Sequence, residues 1–176
     1  MTDIAPRQEL DQLFSLTYEE LRRLASSVRR GDPSATLSPT VLVNEAWLKL
    51  AGSRVIGAST SRAHFKRIAA RAMRQVLIEA ARRRRSQKRG GGMAPITFDD
   101  SLADTTARAD DLLALDAALD ALARFEPRQA MMVESRFFGG LDVAETAQLL
   151  GVSEATILRD WRAAKAWLAR ELSRGR

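Results

Sequence analysis

The chain has 176 residues, of which 45% are hydrophobic and 28% are charged, a balance typical of globular rather than disordered proteins. It contains no cysteine, which excludes disulfide bonds and thiol catalysis. No apolar run approaches the roughly 20 residues that cross a bilayer, and the N-terminal residues include acids but lack the apolar segment of a secretory signal. We therefore expect a cytoplasmic globular protein without a membrane span.

Nearly the whole chain has the pattern of α-helices, because Ala, Leu and Arg dominate and no run alternates apolar with polar residues. A first helix is predicted over residues 9–29. Ser38 is placed to cap a second helix, with Pro39 at its first position, where proline is favoured. Apolar residues of this second helix recur at helical spacing and are expected to face a core: Leu42, Val43, Ala46, Trp47 and Leu50.

A third helix is predicted from about residue 61 to residue 85, and basic residues are concentrated here. Residues 54–89 hold 12 Lys and Arg but a single acid, Glu79. This one-sided charge is typical of a protein that binds a polyanion, because ordinary solvated faces mix both signs. A solvated face and a helix lying on an anionic membrane are the alternatives; the lack of exposed aromatic anchors disfavours the membrane.

Residues 86–110 have the composition of a linker, with three consecutive glycines, a proline and no helical period. Helical patterns resume after it and continue almost to the C-terminus. We therefore predict an all-α fold class of two small helical domains joined by a flexible linker. The boundaries are residues 1–88 for the first domain, 89–111 for the acidic linker, and 112–176 for a second domain containing a helix-turn-helix.

The helix-turn-helix is predicted from residues 140–161, GLDVAETAQLLGVSEATILRDW. Asp142 and Glu145 have the spacing of a capping box, Gly151 can end the first helix in the left-handed conformation, and Ser153 can cap the second helix. Such a pair usually places its second helix in the DNA major groove. A helix pair with a purely structural role is the alternative.

The second helix of this pair has two distinct faces at 100° per residue. One face is apolar and is predicted to be buried: Ile157, Trp161, Ala164 and Leu168. Arg159 and Arg162 lie opposite, and arginine is suited to bidentate contact with guanine. Asp160 falls near the buried side and need not face phosphates.

No catalytic constellation is found in the sequence. His64 is the only histidine, and without cysteine the chain lacks a credible transition-metal site. The segment RGGGMAP lacks the Lys-Ser/Thr of a phosphate-binding loop. The linker aspartates lack the spacing of ligand loops, so a solvated linker explains them better than a metal site. We expect no enzymatic activity, no metal and no cofactor.

Four segments together resemble bacterial sigma factors of the sigma-70 family, of the two-domain extracytoplasmic-function (ECF) type and its ECF-like branch. They are YEELRRLA at 18–25, LSPTVLVNEAWLKL at 37–50, AHFKRIAARAMRQVLIEAARRRRSQKRGGG at 63–92, and FFGGLDVAETAQLLGVSEATILRDWRAAKAWLARELSR at 137–174. They cover nearly the whole chain in the family's order. The resemblance implies a transcription initiation factor that binds core RNA polymerase and directs it to promoters.

The resemblance also implies partners and site residues. In the family, the first domain holds the clamp of the largest polymerase subunit and melts the −10 element, while the second domain binds the flap of the second subunit and the −35 element. The residues implied for polymerase binding are Thr40, Leu42, Val43, Asn44, Glu45 and Trp47. Those implied for the −10 element are Phe65, Lys66, Arg67, Arg71, Arg74, Gln75, Ile78, Glu79 and Arg82. Those expected at the −35 element are Ser153, Glu154, Ala155, Thr156, Arg159, Arg162 and Lys165.

Promoter DNA and core polymerase are thus the expected partners, and an anti-sigma factor is a further candidate. Gln75 and Glu79 stand where asparagine and aspartate are common in the family, and with Phe65 and Ile78 they are our candidates for capturing an unstacked base. The alternative function is a free-standing helix-turn-helix regulator acting as a dimer. Such a regulator has no need for LVNEAWLKL followed by a basic helix.

Overall fold

The computed structural model describes residues 4–29, 37–52, 61–87 and 109–174. Within these ranges every regular element is an α-helix, which confirms the all-α prediction. The helices are α1 (Ile4–Arg29), α2 (Pro39–Ala51), α3 (Arg62–Gln87), α4 (Ala109–Phe125), α5 (Pro127–Phe137), α6 (Val143–Leu150) and α7 (Glu154–Arg174). None of these described helices is long and apolar enough to cross a membrane.

Helix α2 begins where the sequence predicts. The Ser38 side chain accepts a hydrogen bond from the backbone N–H of Val41 at 3.2 Å, which satisfies one of the free donors of the first turn. Pro39 occupies the first helical position, and Gly52 follows the last turn with its N–H bonded back into the helix.

The predicted linker over residues 89–111 differs from the structure at its C-terminal end. Residues 109–111 form the first turn of α4. Asp110 and Asp111 lie there at the positive end of the helix dipole, which favours negative charge. Residues 88–108 lie outside the described part of the chain, so the division into two domains with a flexible linker stays a prediction.

Helices α1, α2 and α3 form an N-terminal bundle around one apolar cluster. The predicted stripe of α2 is largely in it, because Leu42, Val43, Ala46 and Leu50 are all buried. The Trp47 ring is half-buried and stacks on Phe14 of α1, with the ring centroids 4.4 Å apart. The buried residues that α3 contributes are Phe65, Ile68, Ala69, Ala72, Met73 and Val76.

Helices α4 to α7 form a C-terminal bundle around a second apolar cluster. Helix α7 supplies the predicted stripe of Ile157, Trp161, Ala164 and Leu168, all of which are buried. Leu119, Leu122 and Val133 are among the residues of α4 and α5 that pack against it.

Helix α3 also packs against α4, α5 and α6, so it belongs to both bundles. Ala70 is buried in the C-terminal cluster, and Leu77 packs against both clusters. Further along α3, Ile78 and Ala81 form a third buried cluster with Leu112 of α4. The two bundles are therefore in contact along one side of α3.

Gly139, in the turn after α5, lies against α3 with no room for a side chain. A Cβ at this position would lie 2.5 Å from the Ser135 carbonyl oxygen and 3.0 Å from the Ala70 Cβ. The first distance is much shorter than a van der Waals contact, and the atom it reaches belongs to the backbone, which cannot easily move away. Glycine at 139 thus permits both the tight turn after α5 and the close approach of this turn to Ala70 of α3.

We expect Gly139→Ala to lower the free energy of unfolding by about 1–3 kcal/mol, the usual cost of overpacking. The matched control is Gly52→Ala: its φ is −83°, and its Cβ would meet nothing closer than 3.6 Å. This control should be neutral or stabilising by up to about 1 kcal/mol. Urea unfolding followed by circular dichroism measures both changes, and equal stability of the two variants would contradict the close-approach argument.

Candidate nucleic-acid interface

Helices α6 and α7 are joined by a short turn at residues 151–153, and the predicted caps are present. The Glu145 N–H donates to Asp142 Oδ1 at 2.7 Å, and the Asp142 N–H donates to Glu145 Oε2 at 3.0 Å, which completes the capping box. Gly151 ends α6 with a φ of 65°, the left-handed conformation that favours glycine. Ser153 caps α7 by accepting from the Thr156 N–H at 3.2 Å.

The face of α7 opposite its buried stripe is open to solvent. Of the residues expected to contact the −35 element, five are exposed: Ser153, Glu154, Ala155, Arg159 and Arg162. Thr156 and Lys165 are half-buried. Leu158 is also 43% exposed beside the arginines, so this cationic face includes an apolar side chain that our residue set omits.

Asp160 lies on the buried side of α7, as its phase predicts. Its carboxylate, 8% exposed, accepts from the Arg128 guanidinium of α5 at 2.6 Å. On the same side, the Arg136 guanidinium lies 4.2 Å from the centroid of the Trp161 ring, a cation–π contact. These contacts fix the rotation of α7 and direct its arginines outward. Arg159 keeps a long ion pair with the other Asp160 oxygen, at 3.8 Å, while its own side chain is 72% exposed.

One side of α3 carries polar residues that face solvent. Arg71, Gln75 and Arg82 are exposed, and at 100° per residue they fall within about 40° of one another. Glu79 lies beside this stripe and accepts from Lys49 of α2 at 2.9 Å. These four residues of the −10 set therefore lie on one side of α3.

Two apolar members of the −10 set, Phe65 and Ile78, do not reach solvent. Phe65 is fully buried in the N-terminal cluster, and Ile78 is buried against Leu112 and Ala81. Neither side chain has a surface to offer a base in this arrangement, so we assign both a packing role. Arg67 is half-buried and lies against the Met131 sulfur of α5 at 3.9 Å.

The Arg74 guanidinium is enclosed by carboxylates of the C-terminal bundle. Its Nε donates to Asp116 Oδ1 at 2.8 Å, and one terminal nitrogen donates to Glu134 Oε2 at 2.7 Å. The other terminal nitrogen donates to Asp120 Oδ1 at 2.7 Å and to the Asp116 carbonyl oxygen at 3.0 Å. Burial by itself lowers the pKa of Arg74, but the hydrogen bonds to Glu134, Asp120 and Asp116 outweigh it and the pKa is raised. We call Arg74 and these three acids the carboxylate cage.

Lys66 forms a second ionic link between the bundles. Its side chain is only 4% exposed, and its ammonium lies 3.1 Å from a Glu145 carboxylate oxygen and 3.2 Å from one of Glu20. Glu145 is also the acid of the α6 capping box. The first turn of α6 is thus tied to α3 by an ion pair.

Helix α2 exposes a face that the sequence-based residue set captures only in part. Asn44 and Glu45 are exposed, but Leu42 and Val43 are buried and Trp47 is half-buried against Phe14. Two apolar residues absent from the set are exposed instead, Val41 at 40% and Leu48 at 63%.

Residues 41, 44, 45 and 48 have the i, i+3, i+4, i+7 spacing of one helix face. The position of this face opposite the core stripe could therefore have been found from the sequence.

Among the described residues, no group of three or more His, Cys, Asp or Glu side chains is arranged to hold a metal ion. The acids of the carboxylate cage surround a guanidinium instead. In this part of the chain, α3 and α7 expose cationic side chains that can donate hydrogen bonds. Helix α2 exposes a face that mixes apolar and polar side chains.

The chain matches the family described as "ECF sigma factor" over residues 6–174. It is also 27% identical over 166 residues to "ECF RNA polymerase sigma factor SigM" in two strains of Mycobacterium tuberculosis. Each of these alignments covers 94% of this chain and 78% of the relative. No solved structure matches the chain.

The two faces of α7 should respond differently to truncation. We expect Trp161→Ala to lower the free energy of unfolding by about 3–5 kcal/mol, because it empties a buried aromatic site. Arg159→Ala, two residues away on the exposed face, should change it by no more than about 0.5 kcal/mol. Urea unfolding of both variants tests this, and a large loss from Arg159→Ala would show that the exposed face is structural.

Proposed function

The chain belongs to the ECF sigma factor family and so directs RNA polymerase to promoters, and we propose that it does so through three surfaces. The exposed face of α2 docks on core polymerase, the exposed stripe of α3 contacts the −10 element, and the exposed face of α7 reads the −35 element. The observation that carries the proposal is the extent of the family match, which runs from α1 to the last described turn of α7. We propose that the protein acts in the cytoplasm, together with the polymerase.

The α2 face has the composition of a protein-docking surface. Exposed Val41 and Leu48 lie on the same side of the helix as Asn44 and Glu45. Interfaces commonly combine an apolar centre with a polar rim, and burying exposed apolar area supplies much of the affinity. We propose that this face meets the clamp of the largest subunit, as the family's function requires.

The α7 face has the chemistry of a major-groove reader. Arg159 and Arg162 project from the helix that follows a capped turn, and a guanidinium can pair bidentately with guanine O6 and N7. Ser153 and Glu154 lie at the N-terminal end of α7, the end that contacts base edges when such a helix enters the groove. We propose that the α6–turn–α7 unit acts as a DNA-binding helix-turn-helix at the −35 element.

The α3 stripe has the chemistry of a single-strand contact. Arg71 and Arg82 can follow phosphates, and Gln75 between them can hydrogen-bond a base edge. We propose that these residues make the first contact with the −10 element. A free-standing dimeric regulator is not favoured, because the family match takes in α1 to α3 as well as the α6–α7 pair.

Reconstitution with core RNA polymerase tests the function. The protein should co-purify with core enzyme and produce transcripts with defined start sites. Asn44→Ala combined with Glu45→Lys should reduce the affinity for core enzyme at least about tenfold, equivalent to about 1.4 kcal/mol. Leu48→Asp should do the same, because it places a charge in the apolar part of the interface.

The matched control is Gln12→Ala combined with Glu19→Lys, which makes the same kinds of change at exposed positions of α1. It should bind core enzyme like the unsubstituted protein. Equal binding by the control and by both α2 variants, with unchanged circular dichroism, would overturn the assignment of the α2 face.

Specific binding at the −35 element should depend on the exposed arginines of α7. We expect Arg159→Ala or Arg162→Ala to cost roughly 1–3 kcal/mol of holoenzyme affinity for promoters found by mapping transcript starts. Arg23→Ala, an exposed arginine of α1, should cost nothing. An equal loss on all DNA sequences, with a reduced salt dependence, would instead show that these arginines hold phosphates.

A further inference from the structure

Part of the cationic surface of α3 is already occupied by acids of the same chain. The Arg74 side chain is only 14% exposed, and the Asp116 and Glu134 carboxylates that pair with it are each 15% exposed. Lys66 is covered in the same way by Glu145 and Glu20. Two cations that the family resemblance assigns to the −10 element therefore have carboxylates where phosphates would bind. A third, Arg82, lies 3.7 Å from Asp116 but keeps a 68% exposed side chain.

Carboxylates and phosphates compete for the same donors. A guanidinium has five N–H donors in a fixed plane, and it binds either anion through charge-assisted, often bidentate hydrogen bonds. All three nitrogens of Arg74 already donate to Asp116, Asp120 or Glu134. Arg74 cannot hold a nucleic-acid phosphate in this geometry while the cage is closed.

Apolar contacts close the same seam. Leu112 of α4 is 3% exposed, and the buried residues it clusters with, Ile78 and Ala81, both belong to α3. Ala70 of α3 is buried among residues of the C-terminal bundle. The contact between the bundles thus combines largely buried ion pairs with buried apolar packing.

The surface proposed to dock on polymerase stays open. Helix α2 packs only against α1 and α3 within the described residues, and Leu48 remains 63% exposed. Polymerase can therefore engage α2 while the cage is closed, whereas full use of the α3 cations requires the C-terminal bundle to move away.

We propose that the carboxylate cage is an autoinhibitory contact: in the free protein the C-terminal bundle substitutes its acids for DNA phosphates on α3, and it must separate from α3 before a melted strand can be held. This inference rests on the proposed role of α3 at the −10 element. On this inference, Asp116, Asp120 and Glu134 hold the C-terminal bundle against α3 in the free protein, a function distinct from promoter recognition.

Measuring a distance in the free protein tests directly whether the two bundles are in contact. The chain has no cysteine, so Ser26→Cys in α1 and Ser173→Cys in α7 supply the only two sites for a fluorescent donor and acceptor. Each serine hydroxyl donates to a carbonyl of its own helix. The opening variant combines Asp116→Asn, Asp120→Asn and Glu134→Gln, which leaves Arg74 without a counter-charge when the bundles are in contact, a strongly unfavourable state.

We expect the energy-transfer efficiency of the opening variant to shift away from that of the unsubstituted protein. The matched control, Asp11→Asn with Glu19→Gln and Glu126→Gln, changes the net charge equally at exposed positions outside the cage and should show no shift. A second variant adds Leu112→Ser, so that the apolar seam cannot keep the bundles together unaided. Efficiencies in both variants equal to the control, with helical content retained, would overturn the proposal.

Binding to a fluorescein-labelled oligodeoxythymidine strand, without polymerase, tests whether the carboxylate cage keeps Arg74 from binding nucleic acid. The opening variant should bind about tenfold more tightly than the charge-matched control, as one recovered charge-assisted contact allows. Adding Arg74→Ala to the opening variant should remove most of this gain. Equal affinity of the opening variant and the control, or a gain that persists without Arg74, would overturn the proposal.

These results are separable from the proposed function. Energy transfer in the free protein reports the contact between the bundles whether or not the protein starts transcription. If reconstitution with core enzyme yields no defined transcripts, the promoter assignment fails even where the cage opens as expected. If transcripts are normal and the labelled variants behave like the control, only the autoinhibitory contact is wrong.

Discussion

Helix α3 is shared by two hydrophobic cores, and the remaining structure is arranged around this constraint. One side of the helix is buried with α1 and α2, a second side lies against α4, α5 and α6, and a third side remains for solvent. Because two of its sides are buried, α3 can expose charged side chains to solvent on only one side. The cations of α3 that share a side with Ala70 and Ile78 must either be paired or force the bundles apart, because an unpaired charge at such a seam is costly.

The acids of α4 and α5 pair with cations at this seam, and the pairing also bears on non-specific binding to nucleic acid. A helix as basic as α3 binds nucleic acid of any sequence through phosphates, and in a cell such non-specific sites greatly outnumber promoters. Asp116 and Asp120 lie one turn apart on α4, so both reach the same guanidinium. Arg74, one of the α3 cations proposed to contact DNA, is thereby paired with acids of the same chain, while the α2 face proposed to dock on polymerase is left exposed.

Local features of this structure follow from the sequence, whereas its charge pairing does not. The capping box at Asp142 and the inward side of α7 with Asp160 depend on residues a few positions apart, and both are as predicted. Arg74 pairs with acids 42 to 60 positions away along the chain, and helical phase alone cannot reveal such partners. The same limit explains Phe65 and Ile78, whose apolar character suits a base pocket and a core equally well. The exposure of Leu48 could have been predicted, because its position on the outer face is known once the buried stripe of α2 is known.

The carboxylate cage has a consequence for how the free protein responds to ionic strength. Added salt weakens contacts between arginine and phosphate through the loss of counter-ion release. It also screens the pair between Arg74 and Asp120, whose carboxylate is 64% exposed. Salt therefore loosens the restraint and the proposed DNA contact together, and the two effects oppose each other in the affinity for a strand. A chain with so many cations would by itself bind strands with a steep salt dependence, but the cage makes that dependence shallower, so that the free protein is buffered against changes in its ionic surroundings.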